Sequence, residues 1–293
     1  MKFKEKMNKM IKKILILVLL VLFTGDINAK AKSYKMVFVP ASEKGDESDY
    51  ETLISITEKL TGFKIDTIKV TDYNAAVEAM RAGRAHIAWY GGKTYVKAAE
   101  IANAEAFAAG VRPGEKDAGY YTYFVVRKDS TIKKFKDVKN KVLSLNTIGS
   151  TSGDLIPQVE LSKINLSIKN KEHFENVFYA GSHDACLLSV LNNQSDVCGM
   201  SSRNFEARLE DGTIKLTDVR IIHKSDRVPP PPLAYSKSIP KEDREKIKKA
   251  VLEAHNHGII GGYGGKMSHY MEVKDSDYNV LREVIELLNK DKS

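Results

Sequence analysis

Asn146-Thr147-Ile148-Gly149-Ser150-Thr151-Ser152-Gly153-Asp154-Leu155-Ile156-Pro157 follows the apolar run Val142-Leu143-Ser144-Leu145. The apolar run reads as a short buried strand. Residues 155–161 carry the apolar spacing of a helix, so three hydroxyl residues between two glycines sit at a strand-to-helix turn. The first turn of a helix leaves backbone N–H groups without intrahelical partners, and its dipole end is positive. Ser and Thr hydroxyls add donors, and glycine lets an oxyanion approach the backbone closely. Such a turn suits a small tetrahedral anion. A Ser/Thr cap on the helix is the alternative that the local sequence leaves open.

Working outward, the chain has 293 residues, 42% hydrophobic and 29% charged, which suits one large or two modest globular domains. Lys2, Lys4, Lys6, Lys9, Lys12 and Lys13 precede the apolar run 14–23, and small residues end that segment at Ala29. Ten apolar residues are too few to span a bilayer comfortably. A basic start, a short apolar run and a small-residue end make residues 1–29 an expected signal peptide, cut after Ala29 or Ala31. No Cys lies near the cut, so a lipid-anchored form is not expected, and the exported protein should be periplasmic or secreted. Removal of 1–29 takes six lysines and two acids, which lowers the formal charge from +8 to +4. That balance is weak support for nucleic-acid binding and is compatible with an anionic ligand. Cys186 and Cys198 are the only cysteines. In an oxidising compartment they could pair, or both could remain buried thiols.

The order of elements predicts an α/β fold. Residues 34–39, 63–70 and 85–90 read as strands, alternating with helices over 50–60, 72–82 and 95–103. That alternation implies a parallel sheet with right-handed crossovers, whose ligands bind beyond the carboxyl ends of the strands. The loop 40–49, Tyr90-Gly91-Gly92 and the turn 146–153 lie at such ends. The aromatic strand 120–126 is suited to crossing between domains. A second αβ pattern follows: helix 132–138, strand 142–145, helix 155–161, strand 177–179, helix 183–191 and strand 197–200. Residues 221–225 are expected to return the chain to the first domain. Pro229 to Pro232 form a stiff connector, and helices over 242–255 and 277–288 close the chain. The expected division is lobe 1 from 30–126 and 226–293, and lobe 2 from 127–225.

The ordered set of motifs resembles the phosphate/phosphite/phosphonate-binding periplasmic proteins of ABC importers. It includes Asp72-Tyr73-x-Ala75-x-Val77-Glu78-Ala79-Met80-Arg81-Ala82-Gly83, then Ala88-Trp89-Tyr90-Gly91. Asp129-Ser130-x-Ile132, Phe135-x-Asp137-Val138-x-Asn140-Lys141, Gly149 to Gly153 with Pro157, Gly181-Ser182-His183-Asp184-Ala185 and Asp196-Val197 continue it. The resemblance spans roughly residues 34–290. It implies the type II periplasmic binding protein fold, two α/β lobes with a ligand cleft and hinge between them and no chemistry performed. By motif it implies an anion held by Ser150, Thr151, Ser152, His183 and Tyr90. His183 could donate a charge-assisted bond when protonated, and Tyr90 a phenolic O–H. Asp184 either orients His183 or caps a helix, and Ser42 and Tyr50 are further candidates.

Aminoalkylphosphonate binders of that family receive the ammonium group on acidic residues. Here the segment reads Met200-Ser201-Ser202-Arg203-Asn204, with no carboxylate before Glu206, and Val228 to Pro232 departs from the pattern as well. These departures favour a simple oxyanion: phosphite, phosphate or a small alkylphosphonate. The resulting expectation is a monomeric extracytoplasmic solute-binding protein of an ABC importer. It would deliver a phosphorus oxyanion or phosphonate to an inner-membrane permease, with no cofactor or metal. A ligand-sensing subunit for a membrane receptor is the first alternative. An enzyme using Cys186, His183 and Asp184 is the second. No Walker loop, Gly-x-Ser-x-Gly elbow or zinc-like cluster supports catalysis.

Overall fold

The computed structural model of the chain describes residues 31–41 and 46–290. The expected signal peptide and Ser42 lie outside them. Two sheets organise the compact unit that begins at Ser33. In the first, β1 (Ser33–Phe38) lies between β2 (Lys64–Ile68) and β3 (Ile87–Trp89), parallel to both. Helices α1 (Asp46–Thr61), α2 (Tyr73–Arg81) and α3 (Gly92–Ile101) link them or follow them. The expected parallel sheet is therefore only half of what forms. β4 (Ala104–Val111), β10 (Leu233–Ser236) and β13 (His269–Glu272) extend it antiparallel, giving the order β13-β4-β10-β3-β1-β2. None of these three strands was expected. β4 reads Ala-Glu-Ala-Phe-Ala-Ala-Gly-Val, poor in the β-branched residues that signal a strand. Its alanines are buried in the sheet interior, and Phe107 stacks on Tyr235 of β10 at 4.6 Å.

The second sheet has the order β7-β6-β8-β5-β9. β6 (Val142–Leu145) is parallel to β7 (Asn176–Tyr179) and β8 (Val197–Ser201). β5 (Thr122–Arg127) runs antiparallel between β8 and β9 (Val219–Lys224). The expected division places 122–126 in lobe 1 and has 221–225 returning the chain; in the structure 122–127 form β5 of the second sheet, with Val125 and Val126 fully buried, and 219–224 form its edge strand β9. Tyr120 and Val228 exchange backbone hydrogen bonds of 3.2 and 2.8 Å.

α4 (Ile156–Ser162) follows β6, α5 (His183–Leu191) follows β7, and α6 (Ser202–Glu210) follows β8. Cys186 of α5 and Cys198 of β8 form a disulfide with a Cα–Cα distance of 5.6 Å, so of the two expected thiol states the paired one is present. After β10 come α7 (Lys241–Glu253), the hairpin β11 (Ile260–Gly262) and β12 (Gly265–Met267), and the final helix α8 (Asn279–Lys290). α8 lays Leu281 against α3. A Cβ on Gly92 would fall 2.5 Å from Leu281 Cδ1, so a side chain there would displace the end of Leu281.

Candidate functional site

β6 ends at Leu145, and the chain turns back over the strand end. Asn146, fully buried, donates its backbone N–H to the Gly153 carbonyl at 3.0 Å, which closes the loop 146–153. A Cβ on Gly153 would lie 2.3 Å from Asn146 Cβ, and Gly149 has φ +100°. Both glycines are required by geometry, the first by close approach and the second by backbone conformation. Ser150 has extended backbone angles, and its hydroxyl accepts the Gly153 N–H at 3.1 Å. The cap expected as the alternative to an anion site is thus present, but it uses only one of the three hydroxyl residues. Thr151–Leu155 then form one π-helical turn before α4. Such widened turns recur at functional sites.

The turn is held from the first sheet's side. The Thr151 hydroxyl accepts the Lys93 N–H at 2.9 Å, in the first turn of α3. Thr94 Oγ1 donates to the Gly149 carbonyl at 3.0 Å. A Cβ on Gly91 would meet Thr151 Oγ1 at 3.1 Å, so the Gly91-Gly92 pair lets α3 abut the turn. Asp154, buried to 2% exposure, pairs with Lys93 Nζ at 2.5 Å. It also accepts from Tyr179 at 2.7 Å, Gln158 at 2.7 Å and the Gly149 N–H at 3.1 Å. The carboxylate of the turn is therefore spent on structure.

His183 opens α5, whose cap is the Ser182 hydroxyl. The ring is 1% exposed, and Nδ1 accepts the Ser201 N–H at 3.3 Å. With Nδ1 an acceptor, the proton of the neutral ring sits on Nε2. Burial pushes the imidazole pKa down to about 3. The expected charge-assisted bond from a protonated His183 is corrected accordingly: it is a neutral N–H donor at ordinary pH. Asp184 pairs with Arg208 Nε at 3.0 Å.

A small cavity between the two sheets is lined by Ala41, Tyr73, Trp89, Gly91, Tyr120, Ser150, Thr151, Ser152, His183, Pro231 and Tyr263. Four of the five expected site residues meet there: Ser150, Thr151, Ser152 and His183. Tyr90 does not. Its hydroxyl points into the first sheet's helical layer, donating to the Ala76 carbonyl at 3.3 Å and lying 3.7 Å from Met80 Sδ. Successive residues of an extended strand face opposite sides, so Trp89 lines the cavity and Tyr90 faces away. The phenols that do line it are Tyr73, Tyr120 and Tyr263. Tyr120 shares the lining with Ser152 and Thr151, and burial pushes its pKa up to about 12. Tyr73 was legible within the Asp72-Tyr73 motif, whose aspartate caps α2. Nothing local distinguishes Tyr120 from its aromatic neighbours. Tyr50 stands behind the cavity, where its hydroxyl accepts the Tyr263 N–H at 3.2 Å and helps place the β11–β12 hairpin.

Among the described residues the lining contains hydroxyls, phenols, an imidazole, the Trp89 indole and backbone, and no carboxylate. A wider groove lies beyond Tyr263, lined by Arg112, Glu206 and Glu210 among others. There Arg112 is already paired with both glutamates.

A family model described as ABC transporter, phosphonate, periplasmic substrate-binding protein matches residues 36–278. The phosphonates-binding periplasmic protein of Escherichia coli (strain K12) is 29% identical over 230 residues, covering 72% of this chain and 66% of that protein. The phosphate-import protein PhnD of Mycolicibacterium smegmatis is 25% identical over 273 residues, covering 87% of this chain and 85% of its own length. Among solved structures, a binding protein component of an ABC phosphonate transporter from Pseudomonas aeruginosa superimposes with TM-score 0.77 at 22% identity. That superposition covers 89% of this chain and 87% of that one. The fold is thus the type II periplasmic binding protein fold that the resemblance implied.

Proposed function

The chain belongs to the periplasmic substrate-binding proteins of ABC phosphonate transporters, and from that premise we propose that its cleft binds a compact phosphorus oxyanion or phosphonate. The observation that carries this reading is the cavity lining. Ser150, Thr151, Ser152, Tyr73, Tyr120 and His183 supply donors from several elements, and among the described residues no acid lines the same space. Hydrogen bonds to a charged acceptor are stronger than those to a neutral one, and an enclosed site with little water strengthens them further. Tyr73 belongs to the first lobe, and Ser150–Ser152 and His183 to the second. A ligand that bridges them favours the closed arrangement by its extra contacts. The paired crossings at Tyr120 and Val228 are the proposed hinge, with lobe 2 beginning at β5 and ending at β9.

In this reading the protein is monomeric and is exported by removal of residues 1–29. It hands its ligand to a membrane permease and carries out no reaction. A Cys/His nucleophile is not supported, since Cys186 is in the disulfide.

The test is a thermal-shift and calorimetric screen against phosphite, phosphate, methylphosphonate and sulfate, because a ligand that binds only the folded state raises its melting temperature. A saturable shift with one or more phosphorus anions is expected. No shift with any of them would reject the reading.

A further inference from the structure

Arg203 stands in the first turn of α6, 3% exposed. Its guanidinium crosses from the second lobe to the first and donates to the carbonyls of Ala118 at 2.7 Å and Gly110 at 3.3 Å, with Met267 Sδ 4.0 Å away. Among the described residues these partners are all neutral. The contrast with its neighbour is direct: Arg112, also buried, is paired with Glu206 and Glu210. A buried cation with no carboxylate on it is costly, and the cost falls when an anion comes within range. Glu115 acts on Arg203 only through space.

Arg203 also lies just behind the cavity. Ala118, which accepts from Arg203, is two residues before Tyr120, whose phenol lines the cavity. The tip of the β11–β12 hairpin rests on it. A Cβ on Gly264 would be 3.0 Å from Arg203 Cβ, while the adjacent Tyr263 lines the cavity and packs on Trp89 at 4.9 Å.

We infer that Arg203 is the charge filter of the anion site: its guanidinium, bonded to carbonyls instead of carboxylates, is balanced by a doubly negative ligand and repels one that carries a cation. This rests on the anion-binding reading above and narrows it. The substrate class becomes a compact dianion whose substituent is absent or uncharged.

Ethylphosphonate and aminomethylphosphonate test it, since they have the same number of heavy atoms and exchange a methyl for an ammonium group. Their dissociation constants, and that of phosphite, would be measured by calorimetry for the native protein, Arg203→Met and Arg203→Lys. The native protein should bind ethylphosphonate about tenfold or more tighter than aminomethylphosphonate. Arg203→Met should shrink that ratio to about threefold or less and weaken phosphite about tenfold, while Arg203→Lys should retain the ratio. A variant damaged only in packing would weaken both phosphonates alike and leave their ratio unchanged, which would overturn the inference. Equal or tighter binding of aminomethylphosphonate by the native protein would overturn it as well. If the cavity admits phosphite but neither phosphonate, the phosphite arm decides, and unchanged affinity in Arg203→Met sinks the filter. Failure of every anion to bind the native protein would instead reject the anion site itself.

Discussion

Lys93 Nζ meets the Asp154 carboxylate at 2.5 Å across the cleft, directly beside the Thr151 hydroxyl that accepts the Lys93 backbone N–H. One residue therefore engages the turn twice, by side chain and by backbone. The arrangement neutralises the buried Asp154 carboxylate beside the turn.

Replacing Lys93 by Met leaves Asp154 buried with Tyr179, Gln158 and Gly149 as its remaining partners. Breaking one side of a buried pair is destabilising. Because Lys93 is partly exposed and those donors remain, the expected loss is about 1–3 kcal/mol. Urea denaturation of the two proteins measures it, and an anion titration of the same variant should show weaker binding. Equal midpoints and equal affinities would mean that the pair contributes nothing.

Ser152→Ala and Tyr120→Phe each remove a hydroxyl from the cavity lining. Each should weaken anion binding by about 1–2 kcal/mol, as loss of a hydrogen bond to a charged group does. Tyr90→Phe is the informative control. Its hydroxyl is directed at Ala76, so affinity should stay within about 0.5 kcal/mol of native. Calorimetry on the three variants decides between them, and a Tyr90→Phe defect as large as that of Tyr120→Phe would contradict the placement of both phenols.

His183 makes stability depend on pH. Its folded pKa is depressed to about 3 by burial, whereas the unfolded side chain titrates near about 6.5. The unfolded chain therefore binds more protons between those values. The stabilisation is complete above about pH 6.5 and is lost as pH falls toward the folded value. Between pH 7.5 and pH 5 the loss from this group is about 2 kcal/mol. His86 is shifted down too, by burial and then by Lys35, and adds to the same trend. Denaturation at the two pH values for native protein and His183→Gln isolates the first contribution. The variant should lose about 2 kcal/mol less than the native protein, and an identical slope would refute the neutral, buried state of His183.

The disulfide joins residues 12 apart in sequence. Closing a loop of that size stabilises by about 3 kcal/mol in the chain-entropy description. The double variant Cys186→Ala, Cys198→Ala should lose about that amount in thermal or chemical unfolding. Its anion affinity should be unchanged, since neither cysteine lines the cavity. Loss of binding in a folded double variant would show that the bridge positions His183, three residues from Cys186.

Much of this protein was legible as sequence. The strand 142–145 and the helix 183–191 form with the expected bounds, because an apolar run and a Ser-capped periodic segment state their own conformation. The glycine-bounded Ser150-Thr151-Ser152 turn and His183 were identified for the same reason: turn chemistry and helix starts are local. The motif order was enough to indicate the family. Tertiary structure decided the rest. It paired the alanine-rich β4 with β10, moved β5 into the second sheet, and turned Trp89 toward the cavity and Tyr90 away. It chose the disulfide over two thiols, held His183 neutral, and left Arg203 bonded only to neutral groups among the described residues. Each of these depends on neighbours distant in the chain, through sheet pairing, the parity of a three-residue strand or the loss of water around a charge. Local sequence carries the propensity of a segment, whereas burial and partnership are properties of the packed whole.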